Sequence, residues 1–494
     1  MSVLIPVGEY RPDLPEFENP GALEALNVQP DEASYRPIKT LTASGGALTA
    51  RCQGAFSVRS IAGVYSNFAG DATKLYKQNA TTLNWADVSR AAGGAYTIAS
   101  TSMWQFAQFG DIVLATNGTD ILQAFTLGSS TLFALNAGSP PAANYIAVAR
   151  EQVFLGRISG AEGKVVWCGL NDSTAWTASA TTQADSQSIA SGGRVMGLVG
   201  GEYLLIGQER SIKRATYVGS PVIWQFDEIS RDHGVLCDYS MTGHEGLTFF
   251  LSPDGIYMIV GGQQLQSIGD RKIDRTLLAD LDSSYLTRVT AAVDPVAKLL
   301  WISYPGAGNS GGTPNKCLLY NWATGRWARA EIGMEMIYAA ATITAATSLD
   351  DADEFADDID AVGAPSLDSS LYTGSGRFLL SAFTAAHKQA FFTGTNMAAT
   401  VDTTETQLTP SQRTVVRSVR PAIDGGSPAM QVGGRNRLID TTTWSSARTI
   451  NSLGRCRIRK RARYHRARIN TVAGDSWSNL QGIAEIEAHP SGWR

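Results

Sequence analysis

Arginine stands at every second position in Arg455-Cys456-Arg457-Ile458-Arg459-Lys460-Arg461-Ala462-Arg463. Side chains of an extended strand alternate between faces, so this spacing sets the guanidinium groups of Arg455, Arg457, Arg459, Arg461 and Arg463 on one face. Arg466 and Arg468 continue the run in a shifted phase, which calls for a bulge or a bend at His465. Three uses compete for such a row. It pairs with carboxylates of a neighbouring subunit or partner protein, it attracts nucleic-acid phosphate without reading sequence, or it is a solvated face. Subunits that each turned five arginines into a DNA channel would grip the duplex through many phosphates and impede its passage. A protein–protein salt-bridge surface is therefore the leading reading, ahead of DNA contact.

Other residues with chemical potential fall short of a site. Gly306-Ala307-Gly308-Asn309-Ser310-Gly311 matches G-x-G-x-x-G, but a dinucleotide fingerprint must open a helix. Here Pro314 and a strand pattern, Lys316-Cys317-Leu318-Leu319-Tyr320, follow, so a hairpin connection is expected. His233, His244, His387, His465 and His489 lack the spacing of a metal site, and no G-x-S-x-G elbow occurs. The acidic run Asp350–Asp360 lacks the glycine and terminal glutamate of an EF-hand loop. Ser252-Pro253-Asp254-Gly255 approaches the turn of glycosidase propellers, with its glycine one position early and no tryptophan in register. Cys52, Cys168, Cys237, Cys317 and Cys456 are odd in number and widely spaced, so reduced thiols are expected. The expectation is a protein with no catalytic residues, no metal and no cofactor.

The elements around these residues read as strands. An aromatic-rich hydrophobic run returns roughly every 41 to 51 residues, crosses a tight Gly/Asp/Asn turn and comes back as a second run. Copies include Trp104-Gln105-Phe106…Phe109-Gly110-Asp111, Val153-Phe154-Leu155-Gly156…Val166-Trp167 and Leu300-Trp301-Ile302-Ser303-Tyr304. A small sheet that cannot bury both faces alone stacks on its neighbours, so this period argues for a mainly β fold, a β-propeller of about six blades. Residues 1–50 hold six of the 18 prolines and read as an extended arm laid on another surface. The propeller is expected over 51–345, an acidic linker or loop over 346–370, and a basic, β-rich C-terminal domain over 371–494. That last assignment rests on charge: residues 401–494 carry 14 Arg and one Lys against seven acids. Met1–Pro6 has no basic start and no stretch of 18 apolar residues occurs, so a soluble chain made in a cytoplasm is expected.

The ordered series resembles the tail nozzle, or tail hub, proteins of short-tailed bacteriophages. Its members are Trp104-Gln105-Phe106-Ala107-Gln108-Phe109-Gly110-Asp111, Val166-Trp167-Cys168-Gly169-Leu170-Asn171-Asp172, Gly207-Gln208-Glu209-Arg210-Ser211-Ile212, Phe250-Leu251-Ser252-Pro253-Asp254-Gly255, Ile268-Gly269-Asp270-Arg271-Lys272-Ile273-Asp274-Arg275 and Arg463-Tyr464-His465-Arg466-Ala467-Arg468. The likeness runs from about residue 40 to the end. It implies a non-enzymatic virion component, assembled in the host bacterial cytoplasm into a ring, usually of six copies, below the portal and adaptor rings. Such a ring retains packaged double-stranded DNA, conducts it without sequence preference during ejection, and carries tail fibres or tailspikes. On that reading the arm docks on the adaptor, with Tyr10, Pro12, Pro15, Phe17 and Tyr35 as contact candidates. The competing class is a glycan-active or glycan-binding propeller, a glycosidase or lectin.

Overall fold

The structure, a computed structural model, describes residues 5–80, 82–342 and 376–492. Seven four-stranded antiparallel units follow one another around a ring. The first five are continuous in sequence, with innermost strands Ala55–Arg59, Gln105–Phe109, Ala143–Ala149, Val195–Val199 and Thr242–His244. The sixth starts at Thr290–Asp294 and ends at Arg326–Ala330. In the seventh, Met336–Ala341, Phe378–Phe383 and Lys388–Phe391 are closed from outside by Thr42–Ala47. Its innermost strand packs on those of blades one and six, which closes the circle.

Burial explains the sequence pattern of the blades. The second strand of a blade is covered by neighbouring blades on both faces, so it reads as a continuous apolar run rather than an alternating one. Leu204–Gln208 and Leu299–Tyr304 are buried at every position. Three of the recurring tryptophans then tie blade to blade, since a buried indole is favoured where its N–H finds an acceptor. Trp104 Nε1 donates to the Asp71 carbonyl at 3.0 Å, Trp224 Nε1 to Gln152 Oε1 at 2.7 Å, and Trp327 Nε1 to the Ile268 carbonyl at 2.9 Å.

The mainly β propeller matches the expectation, with seven blades in place of about six. The additional blade is assembled from both ends of the propeller sequence. One consequence is that Phe378–Phe391 belongs to the ring, while the C-terminal unit begins near Ala399–Asp402. A second is that the chain leaves blade seven at Thr342 and re-enters it at Arg377, with Thr342 N–H donating to the Arg377 carbonyl at 2.8 Å. The strands on either side, Met336–Ala341 and Phe378–Phe383, are antiparallel neighbours in one blade. The acidic run itself lies outside the described residues.

The C-terminal unit is a sandwich that shares a sheet with the propeller. Blade six continues through Glu24–Leu26 into Ala399–Asp402, Tyr464–Thr471 and Ala429–Arg435, giving a ten-stranded sheet. Facing it, Val28–Pro30, Tyr35–Pro37, Trp477–Pro490, Thr414–Gly425 and Cys456–Ala462 form the second sheet, with Ile5–Pro6 added on Trp477–Pro490. One hydrophobic core runs through blade six, the arm and the sandwich, joining Trp301 and Trp327 to Tyr35, Met430, Ile458 and Ile483. Among the described residues the single α-helix is Asp274–Asp280, and no helix is long and apolar enough to cross a membrane.

Candidate interaction surface and central channel

Cys456–Ala462 is a terminal strand of its sheet, paired only with Thr414–Gly425. Its residues alternate as the spacing requires: Cys456, Ile458 and Ala462 are buried, and Arg457, Arg459 and Arg461 are exposed. The bend falls at Arg463, where the chain crosses from one sheet of the sandwich to the other and resumes as Tyr464–Thr471. The seven arginines therefore divide into groups with different partners.

Arg466 and Arg468 lie on the second sheet and are spent inside the chain. Arg468 grips Asp402 with two bonds of 2.6 and 2.7 Å, and that hydrogen-bonded carboxylate holds its guanidinium above the usual range. Arg466 reaches Glu16 at 3.1 Å, and both guanidinium groups stack on Trp444, 4.9 and 4.1 Å from a ring centroid. On the first sheet, Arg455 binds both oxygens of Glu485 at 2.8 Å. Arg461 bonds to the hydroxyl and carbonyl of Ser491, and Arg463 to the Ser411 carbonyl. Arg457 and Arg459 make no hydrogen bond or ion pair among the described residues, nor does exposed Arg417 on the neighbouring strand. Arg457 and Arg459 form the uncommitted part of the basic row, and Arg417 beside them contributes to lowering the pKa of Glu487. A charged terminal strand also discourages edge-to-edge pairing of chains.

The arm candidates are placed differently from the expectation. Tyr10 is buried, with its N–H on the Trp327 carbonyl at 3.1 Å. Tyr35 is fully buried, its hydroxyl donating to the Gly8 carbonyl at 2.8 Å and its ring 4.8 Å from the Arg326 guanidinium carbon. Phe17 packs edge-on against Tyr464 at 5.2 Å. Pro12 is half-buried and Pro15 exposed. Between these prolines, Asp13 accepts from the main-chain N–H groups of Arg275 and Thr276 at 2.9 Å. The correction has a simple cause: the prolines prevent regular structure, but the arm's aromatic and acidic side chains find partners on their own chain. Tyr10 and Tyr35 are not available to an adaptor.

The seven innermost strands surround a cavity of about 530 Å³, lined by Phe56, Phe106, Tyr145, Leu198, Asp238 and Met241 among others. The connection between blades four and five reaches across one mouth. Asp238 accepts from the Tyr145 hydroxyl at 2.7 Å and pairs with Arg157 at 2.5 Å, both on blade three. Tyr239 accepts from the Met103 N–H at 2.9 Å, on the link between blades one and two. Burial opposes the charge of Arg157, yet Asp238 and Tyr145 together outweigh it and hold the guanidinium above its usual range. No spacing in the sequence marks these residues, because they come from blade three, the link between blades one and two, and the connection between blades four and five. The Gly306–Gly311 loop connects two antiparallel strands, Leu299–Tyr304 and Lys316–Asn321. All five cysteines are free and buried, and among the described residues no three His, Cys, Asp or Glu side chains converge as metal ligands.

Fold and site together define a β-propeller with a fused β-sandwich, carrying an exposed arginine strand and a small plugged axial cavity. No family model matches the chain, and no curated protein does. Among solved structures it is similar to the extracellular domain of a one-component system from B. thetaiotaomicron, at 10% identity and a TM-score of 0.41. That match covers 60% of this chain and 37% of the other, so this chain spans about a third of that protein's length. The Neurospora crassa Pan2 WD40 domain matches at 6% identity and a TM-score of 0.40, covering 73% of this chain and 96% of that one. Likenesses of this size carry no argument about function.

Proposed function

We propose that this chain is a structural component of a short-tailed phage tail, a nozzle subunit that forms a ring, of six copies, below the portal and adaptor. The reading starts from the ordered motifs that resemble that family. The observation that carries it furthest is the shared sheet: blade six, the arm and the sandwich are hydrogen-bonded into ten strands. Force applied to the sandwich passes into the propeller through main-chain bonds and one continuous core, which suits a wall that contains pressurised DNA. The axial cavity of about 530 Å³ has the size of a small-molecule pocket. DNA therefore runs between the copies of a ring, past their walls, and not along the axis of a propeller. Arg417, Arg457 and Arg459 supply a cationic face for the carboxylates of a neighbouring subunit or partner protein. Mass photometry of the full chain, alone and mixed with its portal–adaptor complex, tests this. A discrete ring mass in the mixture is expected; free monomer in both samples would count against the reading.

A further inference from the structure

The axial cavity of about 530 Å³ has a floor, a wall and an entrance. Its floor is the connection between blades four and five, where Asp238 reaches blade three and Tyr239 reaches the link between blades one and two. His244, Pro295 and Phe378 line the opposite end, at the turns of the inner hairpins of blades five, six and seven. Phe378 is 37% exposed there, which makes this end the way in.

The wall between floor and entrance is apolar. Phe56, Phe106, Leu198 and Met241 all line the cavity. Each packs on a core between two blades yet stays half-buried, so part of its apolar surface is left toward the axis. Phe56 and Phe106, on neighbouring blades, stand parallel with 6.0 Å between centroids and 4° between planes. Covering such surface is favourable in proportion to its area. Ring faces and the Met241 thioether favour an aromatic guest in particular.

The floor sets what else the guest must carry. Asp238 Oδ1 accepts from the Tyr145 hydroxyl and from Arg157, whereas Oδ2 has no hydrogen bond among the described residues. An ionised carboxylate is an acceptor on both oxygens, so Oδ2 calls for a donor. The charge of Asp238 is already matched by Arg157 at 2.5 Å, so the floor selects a neutral donor and not a cation.

We propose that the axial cavity binds a compact, uncharged aromatic group bearing one hydrogen-bond donor, a phenol or an indole. Its ring lies against the apolar wall and its O–H or N–H is donated to Asp238 Oδ2. Two sources supply this chemistry, a free small molecule and a Tyr or Trp side chain of a partner protein entering past Phe378.

Isothermal titration of the full chain with p-cresol, toluene and p-toluate reads ring, donor and charge separately. Saturable binding of p-cresol is expected, with p-toluate at the buffer blank. Toluene, which lacks the donor, should bind about tenfold more weakly, the worth of one hydrogen bond to a charged acceptor. Leu198→Trp fills the cavity from a half-buried wall position and should abolish p-cresol binding, with its thermal midpoint checking that the fold is kept. Should that variant fail to fold, the ratio of p-cresol to toluene still decides. N-acetyl-tyrosinamide separates the sources: binding at least as tight as p-cresol assigns the site to a partner's side chain, and binding of p-cresol alone assigns it to a free molecule. No saturable heat from p-cresol, equal binding of toluene, or unchanged binding in folded Leu198→Trp overturns the proposal.

Discussion

Arg329 on the outer strand of blade six holds Glu24 of the arm in a bidentate pair, Nε to Oε1 and Nη2 to Oε2, both at 2.7 Å. The pair sits where Leu26 lies parallel to Arg329, the seam at which the propeller sheet becomes the arm and then the sandwich. Two parallel charge-assisted bonds fix geometry as well as energy. Arg329→Ala leaves a half-buried carboxylate unpaired and is expected to destabilise the chain by about 2 kcal/mol, discounted from the fully buried case for solvent screening. Arg329→Lys restores charge without the fork and recovers less than half of that loss. Urea unfolding of the three proteins measures it. A change below about 0.5 kcal/mol would mean the seam is held by main-chain pairing alone.

His465 gives the sandwich a sensitivity to acid. The side chain is buried between the two sheets, and burial depresses its pKa from 6.5 to about 4 even though the backbone carbonyls of Lys460 and Thr414 favour the charged ring. The folded state therefore refuses a proton that the unfolded chain accepts below pH 6.5. Stability is full above 6.5 and falls as pH drops toward 4, by up to about 3 kcal/mol. His465→Leu removes the titrating group, so its unfolding free energy should lose this slope. A parallel acid profile in parent and variant would contradict the assignment.

Asp274 acts in the opposite direction. Its carboxylate is wedged beside Gly255, whose φ of 151° and missing Cβ permit the contact, and Oδ1 accepts from the Ile256 N–H at 3.1 Å. Burial, with the charges of Asp13, Asp270 and Asp254, raises its pKa from 3.8 to about 7. A raised acid favours folding where it is protonated, and that contribution is lost as pH rises from 3.8 through 7. Asp274→Asn cannot ionise. Its stability relative to the parent should improve between pH 4 and pH 8, by up to about 4 kcal/mol. A constant difference across that range would refute the burial argument.

Arg457→Ala and Arg459→Ala together remove two exposed side chains without intrachain partners. Stability should change by less than about 0.5 kcal/mol. Association with a ring neighbour or the portal–adaptor complex should weaken and lose much of its salt dependence. Intact assembly in the double variant would assign the row to solvation or to edge protection.

The legible parts of this fold are those written locally. Alternation of buried Cys456, Ile458 and Ala462 with arginine needs only a strand, and the run Leu204–Gln208 needs only a covered one. What escaped the sequence depends on distant partners. Blade seven pairs Thr42–Ala47 with Lys388–Phe391, a separation across which no period survives. Tyr35 looked free in a proline-rich arm, yet its ring is covered by Arg326. The arginine row was visible, but its division was not: Glu16, Asp402 and Glu485, which consume three of its members, lie far away in the chain. Asp274 joins two of the quoted motifs in space, with Gly255 on one side and Gly269 on the other, so these motifs describe a packed corner of the fold.

The most direct test of the nozzle reading is a cryo-electron reconstruction of the portal vertex in the phage particle to which the proposal assigns this chain. The proposal predicts six copies of a seven-bladed propeller in a ring below the adaptor, sandwiches fused to blade six, and DNA on the ring axis outside every propeller. A tail ring built from another protein, or a virion without this chain, would contradict it.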